Sequence, residues 1–170
     1  MTRYYSTAFA TTRFQGNRMR RQHWILATVV SACLTTVSFA QTRPDAAVRY
    51  RQGLMAVMGW NFDLLGASVR RSGALDAKEF TLRAERLAQF GPQMLEGFPK
   101  PTDTGKGAVT DAGPEIWSDA AGFQVKVDEY ITESKKLVEA AKSGDDAQMR
   151  AQYRKVSDSC RTCHDKYKAD

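Results

Sequence analysis

The C-terminal stretch, residues 145–170, constrains most strongly what this chain can fold into. It contains Cys160-Arg161-Thr162-Cys163-His164, which has the spacing C-x-x-C-H. Apolar and cysteine side chains recur through the stretch at alternating steps of four and three residues, at Met149, Tyr153, Val156, Cys160, Cys163 and Tyr167. This period predicts one α-helix with a single apolar face, and both cysteines lie on that face.

The C-x-x-C-H spacing is typical of covalent haem attachment. Two thiols one helical turn apart can each add to a vinyl group of a haem. The neighbouring histidine can then turn an imidazole nitrogen towards the iron. We therefore expect Cys160 and Cys163 to attach one haem c and His164 to ligate its iron.

Three other interpretations of the pentapeptide fit less well. A structural zinc site needs about four ligands, but after Ala40 the chain offers only two cysteines and one histidine. A thioredoxin-like pair needs a βαβ context, and no strand-like alternation surrounds these cysteines. A Cys160–Cys163 disulfide in a haem-free exported bundle stays open as an alternative, although it gives His164 no role.

Residues 1–40 have the pattern of an export signal. They contain five arginines and no acidic residue, followed by an apolar run from Trp24 to Ala40. That run is shorter than the about 20 residues of a membrane span, and it ends in small residues typical of a signal-peptidase site. We expect a mature periplasmic chain of residues 41–170, and Met19 as the true start of translation.

The basic composition belongs to this leader. The sequence has 25 basic and 19 acidic residues, and removing the five leader arginines from the 25 leaves 20 against 19. A nearly neutral mature chain gives no argument for nucleic-acid binding. Its length is usual for one domain with one hydrophobic core.

Four helices are predicted in the mature chain, over residues 43–73, 76–98, 118–142 and 145–170. Asp76 has capping-box spacing to Glu79 at the second start, and Gly91-Pro92 should break or kink that helix. Glycines and prolines between residues 99 and 114 predict one long loop. Four helices with otherwise short connections predict an all-α fold, an antiparallel four-helix bundle.

The first helix carries two neighbouring apolar stripes. One contains Val48, Met55, Met58, Phe62, Leu65 and Val69, and the other contains Tyr50, Leu54, Val57 and Leu64. So wide an apolar face is usual for a helix that touches two neighbours in a bundle, and less often one flank is a dimer interface. Trp60 and Trp117 are expected to pack rather than to relay electrons.

These features together resemble the class II cytochromes c, the cytochrome c′ family. The resemblance covers residues 44–170 and is carried by four segments: Val48–Met55, Met58–Phe62, Pro114–Asp119 and Cys160–Tyr167. It implies a four-helix bundle with one covalent haem c, thioether bonds from Cys160 and Cys163, and His164 as the proximal iron ligand. It also implies pairing of two chains through the first two helices, and hence a homodimer.

The resemblance implies further haem contacts. Arg51 and Gln52 match residues beside the haem edge, where an arginine can pair with a propionate. Thr102 and Asp103 fall in a loop that resembles the second edge contact of the family. Lys168 takes the place of the basic residue that flanks the proximal histidine.

Met55 matches the position that faces the distal side of the iron. In most of the family an apolar side chain there leaves the iron five-coordinate, whereas in the cytochrome c556 branch a methionine coordinates it. Thioether sulfur is a known axial ligand, and methionine also fills irregular core gaps. The neighbouring pattern Arg-Gln-Gly-Leu-Met favours the unligated state.

We therefore expect a protein that transfers single electrons to redox partner proteins and binds small gases such as nitric oxide and carbon monoxide. A six-coordinate electron carrier with Met55 as sixth ligand is the nearest alternative. No hydrolytic triad or paired-carboxylate pattern is present, so no enzymatic activity is expected.

Overall fold

The computed structural model describes residues 44–100, 102 and 109–169. Four long helices run through these residues: α1 (Pro44–Arg70), α2 (Ala77–Phe90), α4 (Ala120–Ser143) and α5 (Asp146–Tyr167). A 3-10 helix (Gly91–Gly97) continues α2, and a short helix α3 (Glu115–Ser118) precedes α4. The predicted four-helix bundle is confirmed, and the export signal lies outside the described residues.

Local signals set the helix ends close to their predicted positions. The Asp76 carboxylate accepts from the backbone N–H groups of Lys78 and Glu79 at the start of α2. Gly144, with φ of 70°, ends α4 in the left-handed region that glycine adopts without strain. Asp145 then caps α5 by accepting from the N–H of Gln148.

A continuous hydrophobic core lies between the four long helices. Its innermost side chains are Leu65, Phe80, Leu87, Val127, Leu137, Met149 and Val156, each 1% exposed or less. The C-terminal helix contributes the predicted stripe, with Cys163 and Tyr167 buried and Tyr153 and Cys160 half-buried. Among the described residues, no helix is both long and apolar enough to cross a membrane.

The outer flank of α1 is exposed, although a wide apolar face usually packs against two neighbouring helices of a bundle. Leu54 is buried, but Tyr50, Val57 and Leu64 are 36–45% exposed. Trp60 is 66% exposed, so the expectation that it packs is wrong within a single chain. In a four-helix bundle each helix packs against two adjacent helices. The flank of α1 that carries Val57 and Trp60 faces neither of these neighbours.

Asp119 links the start of α4 to the end of α5. Its carboxylate accepts from the N–H of Gly122 (3.1 Å), the hydroxyl of Tyr167 (2.9 Å) and the ammonium of Lys166 (2.6 Å). These bonds favour the charged carboxylate, so they lower the pKa of Asp119, with Lys166 contributing most. The contact fixes the C-terminal turn of α5.

We expect Asp119→Asn to lose stability at neutral pH relative to the wild type, with the difference shrinking in acid. A lowered folded-state pKa contributes stability above the unfolded value of about 3.9, and the contribution disappears as pH falls through the folded-state value. Urea unfolding at several pH values measures the difference. Asparagine keeps the cap, so a difference that stays constant down to pH of about 2 would contradict the assignment.

Candidate haem-binding site

One mostly apolar cavity of about 340 Å³ opens between α1, the 3-10 helix, residues 110–116, α4 and α5. The pentapeptide supplies Cys160, Cys163 and His164 to its wall. The remaining wall is largely apolar and includes Met55, Met58, Phe62, Met94, Phe98, Ile116, Phe123, Tyr130 and Tyr167. The residues predicted for haem attachment therefore meet in a single cavity.

Both cysteines are free thiols in the structure. Burial raises the pKa of Cys160 to about 11, and the nearby Cys163 adds to the effect. Burial also raises the pKa of Cys163. Both thiols therefore stay protonated and uncharged at neutral pH, the form that apolar surroundings favour.

His164 lines the mouth of the cavity and is exposed on its outer side. Partial desolvation lowers the pKa of its imidazole, and the positive charge of Lys168 lowers it further. The neutral imidazole favoured in this way is the form that binds metal ions. No group of three or more cysteine, histidine or acidic side chains converges within the described ranges, so no protein-only metal site is present there.

Lys168 contributes to the site mainly through its backbone. Its N–H donates to the carbonyl of His164 (3.1 Å), which ends α5 directly after the pentapeptide. The chain beside it is fastened to the incoming loop, because Gly113 N–H donates to Tyr167 O (2.9 Å) and Ala169 N–H donates to Asp111 O (2.7 Å). The Lys168 ammonium is exposed and lies 3.7 Å from the carboxylate of Asp111.

Met55 lies on the α1 wall of the cavity and is half-buried. Met58 and Phe62, one and two turns further along α1, line the same cavity. Tyr153 stacks on Phe62 with a centroid distance of 4.6 Å and thereby holds the end of this wall. The structure thus places Met55 and His164 on different helices around one cavity.

Arg51 is the most deeply buried charged residue of the site, at 3% exposed. One terminal nitrogen donates to Gly97 O and Thr102 Oγ1, both at 3.1 Å. The other donates to Thr102 O (3.1 Å) and to Thr110 Oγ1 (2.7 Å). The guanidinium also lies 5.1 Å from the centroid of the Phe98 ring.

These bonds occupy both terminal nitrogens of Arg51, but none of their acceptors carries a charge. No carboxylate among the described residues lies within ion-pair distance of the guanidinium, and desolvation lowers its pKa. A buried cation without a counter-ion is unfavourable. An anionic group entering the cavity beside Arg51 would therefore be stabilised there.

The other predicted edge residues take different positions. Gln52 lines the cavity and donates from its amide to the carbonyl of Val109 (2.8 Å). Thr102 is buried and bonds to Arg51, but it does not line the cavity. Asp103 lies outside the described residues.

Sequence reasoning missed several residues of the cavity wall and of the hydrogen-bond network around Arg51. Met58 could have been found, since it lies one turn after Met55 on the same stripe. Thr110 and Gly97 gave no such signal, because their contacts with Arg51 join positions 59 and 46 residues apart. A side chain on Gly97 would come within 2.6 Å of Arg51 Cβ, so the close approach requires glycine.

The residues present fit a haem c. The cavity offers an apolar wall for the macrocycle, two thiols at the C-x-x-C spacing, a neutral imidazole, and a buried cation that would pair with an acidic substituent. The thiols and the imidazole come from α5, whereas Arg51 and much of the apolar wall come from other elements.

Comparison with known proteins gives the same result. The family model for cytochrome c′ matches residues 46–168. The chain is 33% identical to cytochrome c′ of Rubrivivax gelatinosus over 126 residues, covering 74% of this chain and 96% of that protein. It is 34% identical to cytochrome c′ of Halomonas halodenitrificans over 130 residues, covering 75% and 98%.

Solved structures agree. The crystal structure of cytochrome c′ from Rubrivivax gelatinosus superimposes with a TM-score of 0.69 at 32% identity, covering 75% of this chain and 98% of that one. A nitric oxide complex of a cytochrome c′ variant from Alcaligenes xylosoxidans gives a TM-score of 0.69 at 33% identity, covering 76% and 98%. The chain therefore belongs to the cytochrome c′ family, whose members carry covalently bound haem c with iron.

Proposed function

We propose that this protein is a periplasmic one-electron carrier, not an enzyme, that also binds small neutral gases. The observation that carries the proposal is the placement of Met55 and His164 on different helices around one apolar cavity. The haem, when bound, supplies a one-electron couple and an iron with room for a small ligand. The attachment points, the iron ligand and the cavity wall are residues of the chain.

Each site residue has a proposed role. Cys160 and Cys163 hold the haem covalently, and His164 ligates the iron. Arg51 provides positive charge beside the acidic edge of the haem and fastens the 3-10 helix to α1. Gln52 holds the loop at Val109, and the backbone of Lys168 fixes the turn after His164.

Whether the Met55 sulfur binds the iron decides between a protein that also binds gases and one that only transfers electrons. The half-buried Met55 side chain packs against the hydrophobic core, and no described residue makes a polar contact with its sulfur. Such a side chain excludes water but can swing aside for a small neutral molecule. We propose the five-coordinate state for this reason, with six-coordinate ligation by Met55 as the alternative.

The relative from Alcaligenes xylosoxidans supports gas binding as a proposal, because a variant of that protein has been solved with nitric oxide. Electron transfer requires a partner protein that approaches the open side of the cavity. Lys126 and Lys168 line that cavity, and cations near a redox centre steer partners of opposite charge. We propose a redox partner that docks at this mouth.

We also propose a homodimer formed through the outer flank of α1. The exposed side chains Tyr50, Val57, Trp60 and Leu64 form an apolar stripe on α1, and Leu82 is exposed on the adjacent α2. A contiguous apolar surface of this kind marks an interaction site. A second copy of the chain is the occupant, as the family resemblance implies.

Covalent attachment can be tested by removing both thiols. The Cys160→Ala, Cys163→Ala variant should lose all haem to acid–acetone extraction, because the mature chain has no other cysteine. The single variant Cys160→Ala is the control, since Cys163 can still form one thioether bond. Haem that stays with the extracted double variant would refute the assignment.

Iron coordination can be tested by absorption spectroscopy. We expect no methionine-to-iron charge-transfer band in the oxidised protein, and faster carbon monoxide association in Met55→Ala because the blocking side chain is gone. Removal of a steric barrier of about 1.4 kcal/mol corresponds to a tenfold change in rate. Met149→Leu, which alters only the core, is the control; a charge-transfer band that disappears in Met55→Ala would establish the six-coordinate alternative.

The dimer can be tested with two matched valines. Val57 is 45% exposed on the outer flank of α1, and Val125 is 54% exposed on α4. Val57→Glu should give monomers with an unchanged haem spectrum, because the charge is buried only at the interface, whereas Val125→Glu should remain dimeric. Light scattering measures both, and a wild type that is monomeric at high concentration would reject the proposal.

A further inference from the structure

The outer flank of α1 is complementary to itself about a point in the middle of the helix. Trp60 is 66% exposed on this flank. Gly53, two turns before it, is exposed, and no heavy atom of another described element lies within 4 Å of where its Cβ would be. The flank therefore presents one large aromatic side chain and one notch, about 10 Å apart along the helix. Their midpoint lies between Ala56 and Val57, which are also exposed.

Two opposite charges lie on either side of the same midpoint. Arg49 lies about two turns before it with its side chain 60% exposed, and Asp63 lies exposed about two turns after it. One terminal nitrogen of Arg49 donates to Asp45 (2.9 Å), whereas Asp63 forms no ion pair with any residue that the structure describes. Steps of four and three residues keep side chains on one face of a helix. Five exposed positions follow one another at these steps: Arg49, Gly53, Ala56, Trp60 and Asp63.

We propose that two copies of the chain pair antiparallel along this face, about a two-fold axis that passes beside Ala56 and Val57. In a two-fold interface, a residue at one distance before the axis meets the residue at the same distance after it in the other copy. Trp60 of each chain then fills the notch at the partner's Gly53, and Arg49 of each chain lies opposite the partner's Asp63. The proposal rests on the homodimer proposed above and assigns its register.

Charge and shape both favour this arrangement. A tryptophan that fills a pocket at the centre of an interface is a typical anchor of binding, and glycine at position 53 leaves the space for it. The antiparallel register forms two Arg49–Asp63 pairs at the edge of the contact. A parallel pairing would instead place like charges opposite each other, which is unfavourable.

The register can be tested with a symmetric disulfide in the haem-loaded mature protein, whose two native cysteines are proposed to hold the haem. The two Val57→Cys thiols should lie beside the axis, within the Cα separation of up to about 7 Å that a disulfide spans. Oxidation with diamide removes two protons and two electrons from the thiols as the S–S bond forms, and the diamide is reduced to its hydrazine. Non-reducing gels should then show a cross-linked dimer.

Leu64→Cys is the matched control for this cross-link. Leu64 lies on the same outer flank and is similarly exposed, but it is seven residues beyond Val57. In the proposed register its two copies are about 20 Å apart along the paired helices. The Leu64→Cys protein should therefore stay uncross-linked under the same oxidation.

The edge contacts can be tested by charge reversal, with the dimer dissociation constant measured by analytical ultracentrifugation. Arg49→Glu and Asp63→Arg should each raise this constant about tenfold, because like charges then face each other. The double variant should recover most of the wild-type affinity, and recovery cannot arise within one chain because the two positions are about 20 Å apart along α1. Lys136→Glu, which reverses one charge of the pair with Glu133 on α4, should leave the constant unchanged.

The notch can be tested with Gly53→Leu, which fills it with a side chain. Position 53 is open within one chain, so the haem spectrum and the helix content should stay the same while the dimer dissociates more readily. Ala121→Leu, at an exposed position of α4, should leave the dimer unchanged. A Gly53→Leu dimer as tight as the wild type would overturn the assignment of the notch.

The register and the homodimer can fail separately. A wild type that is monomeric at high concentration in light scattering refutes the homodimer and this register with it. A dimeric wild type whose Val57→Cys variant does not cross-link refutes the register alone, whether or not Leu64→Cys does. A charge-reversed double variant that binds no more tightly than either single variant also refutes the register alone.

Discussion

A single buried guanidinium organises the described segments that join α2 to α3. Arg51 projects from α1 and binds Gly97 at the end of the 3-10 helix, and Thr102 and Thr110 on either side of the long loop. Without those acceptors the charge would be buried and unsatisfied, so the segments that supply them are drawn to one edge of the cavity. The helices of the bundle form the walls of the cavity, and the hydrogen bonds of Arg51 hold together the segments at its edge.

The neighbouring edge of the site, which begins one residue after Thr110, depends on hydrogen bonds between the loop and the last turn of α5. Gly113 and Ala169 donate across a short antiparallel bridge between Ala112 and Lys168. Asp119 adds a bond to the Tyr167 hydroxyl. His164 therefore lies on a helix whose end is fixed by backbone and side-chain contacts, which limits the directions its imidazole can take.

The fold and the attachment motif could be predicted because both are local. Helical periods, caps at Asp76 and Asp145, and the glycine after α4 depend on neighbours within a few residues. The network around Arg51 could not be predicted, because its partners are distant in sequence and no periodicity points to them. The prediction for Trp60 was wrong for another reason. An apolar side chain is expected to be buried, but its sequence does not show against which surface it packs.

The close approach of Gly97 to Arg51 restricts how this sequence can evolve. Any β-carbon at position 97 would collide with α1, and the displaced 3-10 helix would remove one acceptor from a cation that needs it. The clash is with the β-carbon of Arg51, an atom that every residue except glycine would also place there. Loss of the arginine would therefore not free position 97, so the glycine is expected to persist even in relatives that have replaced Arg51.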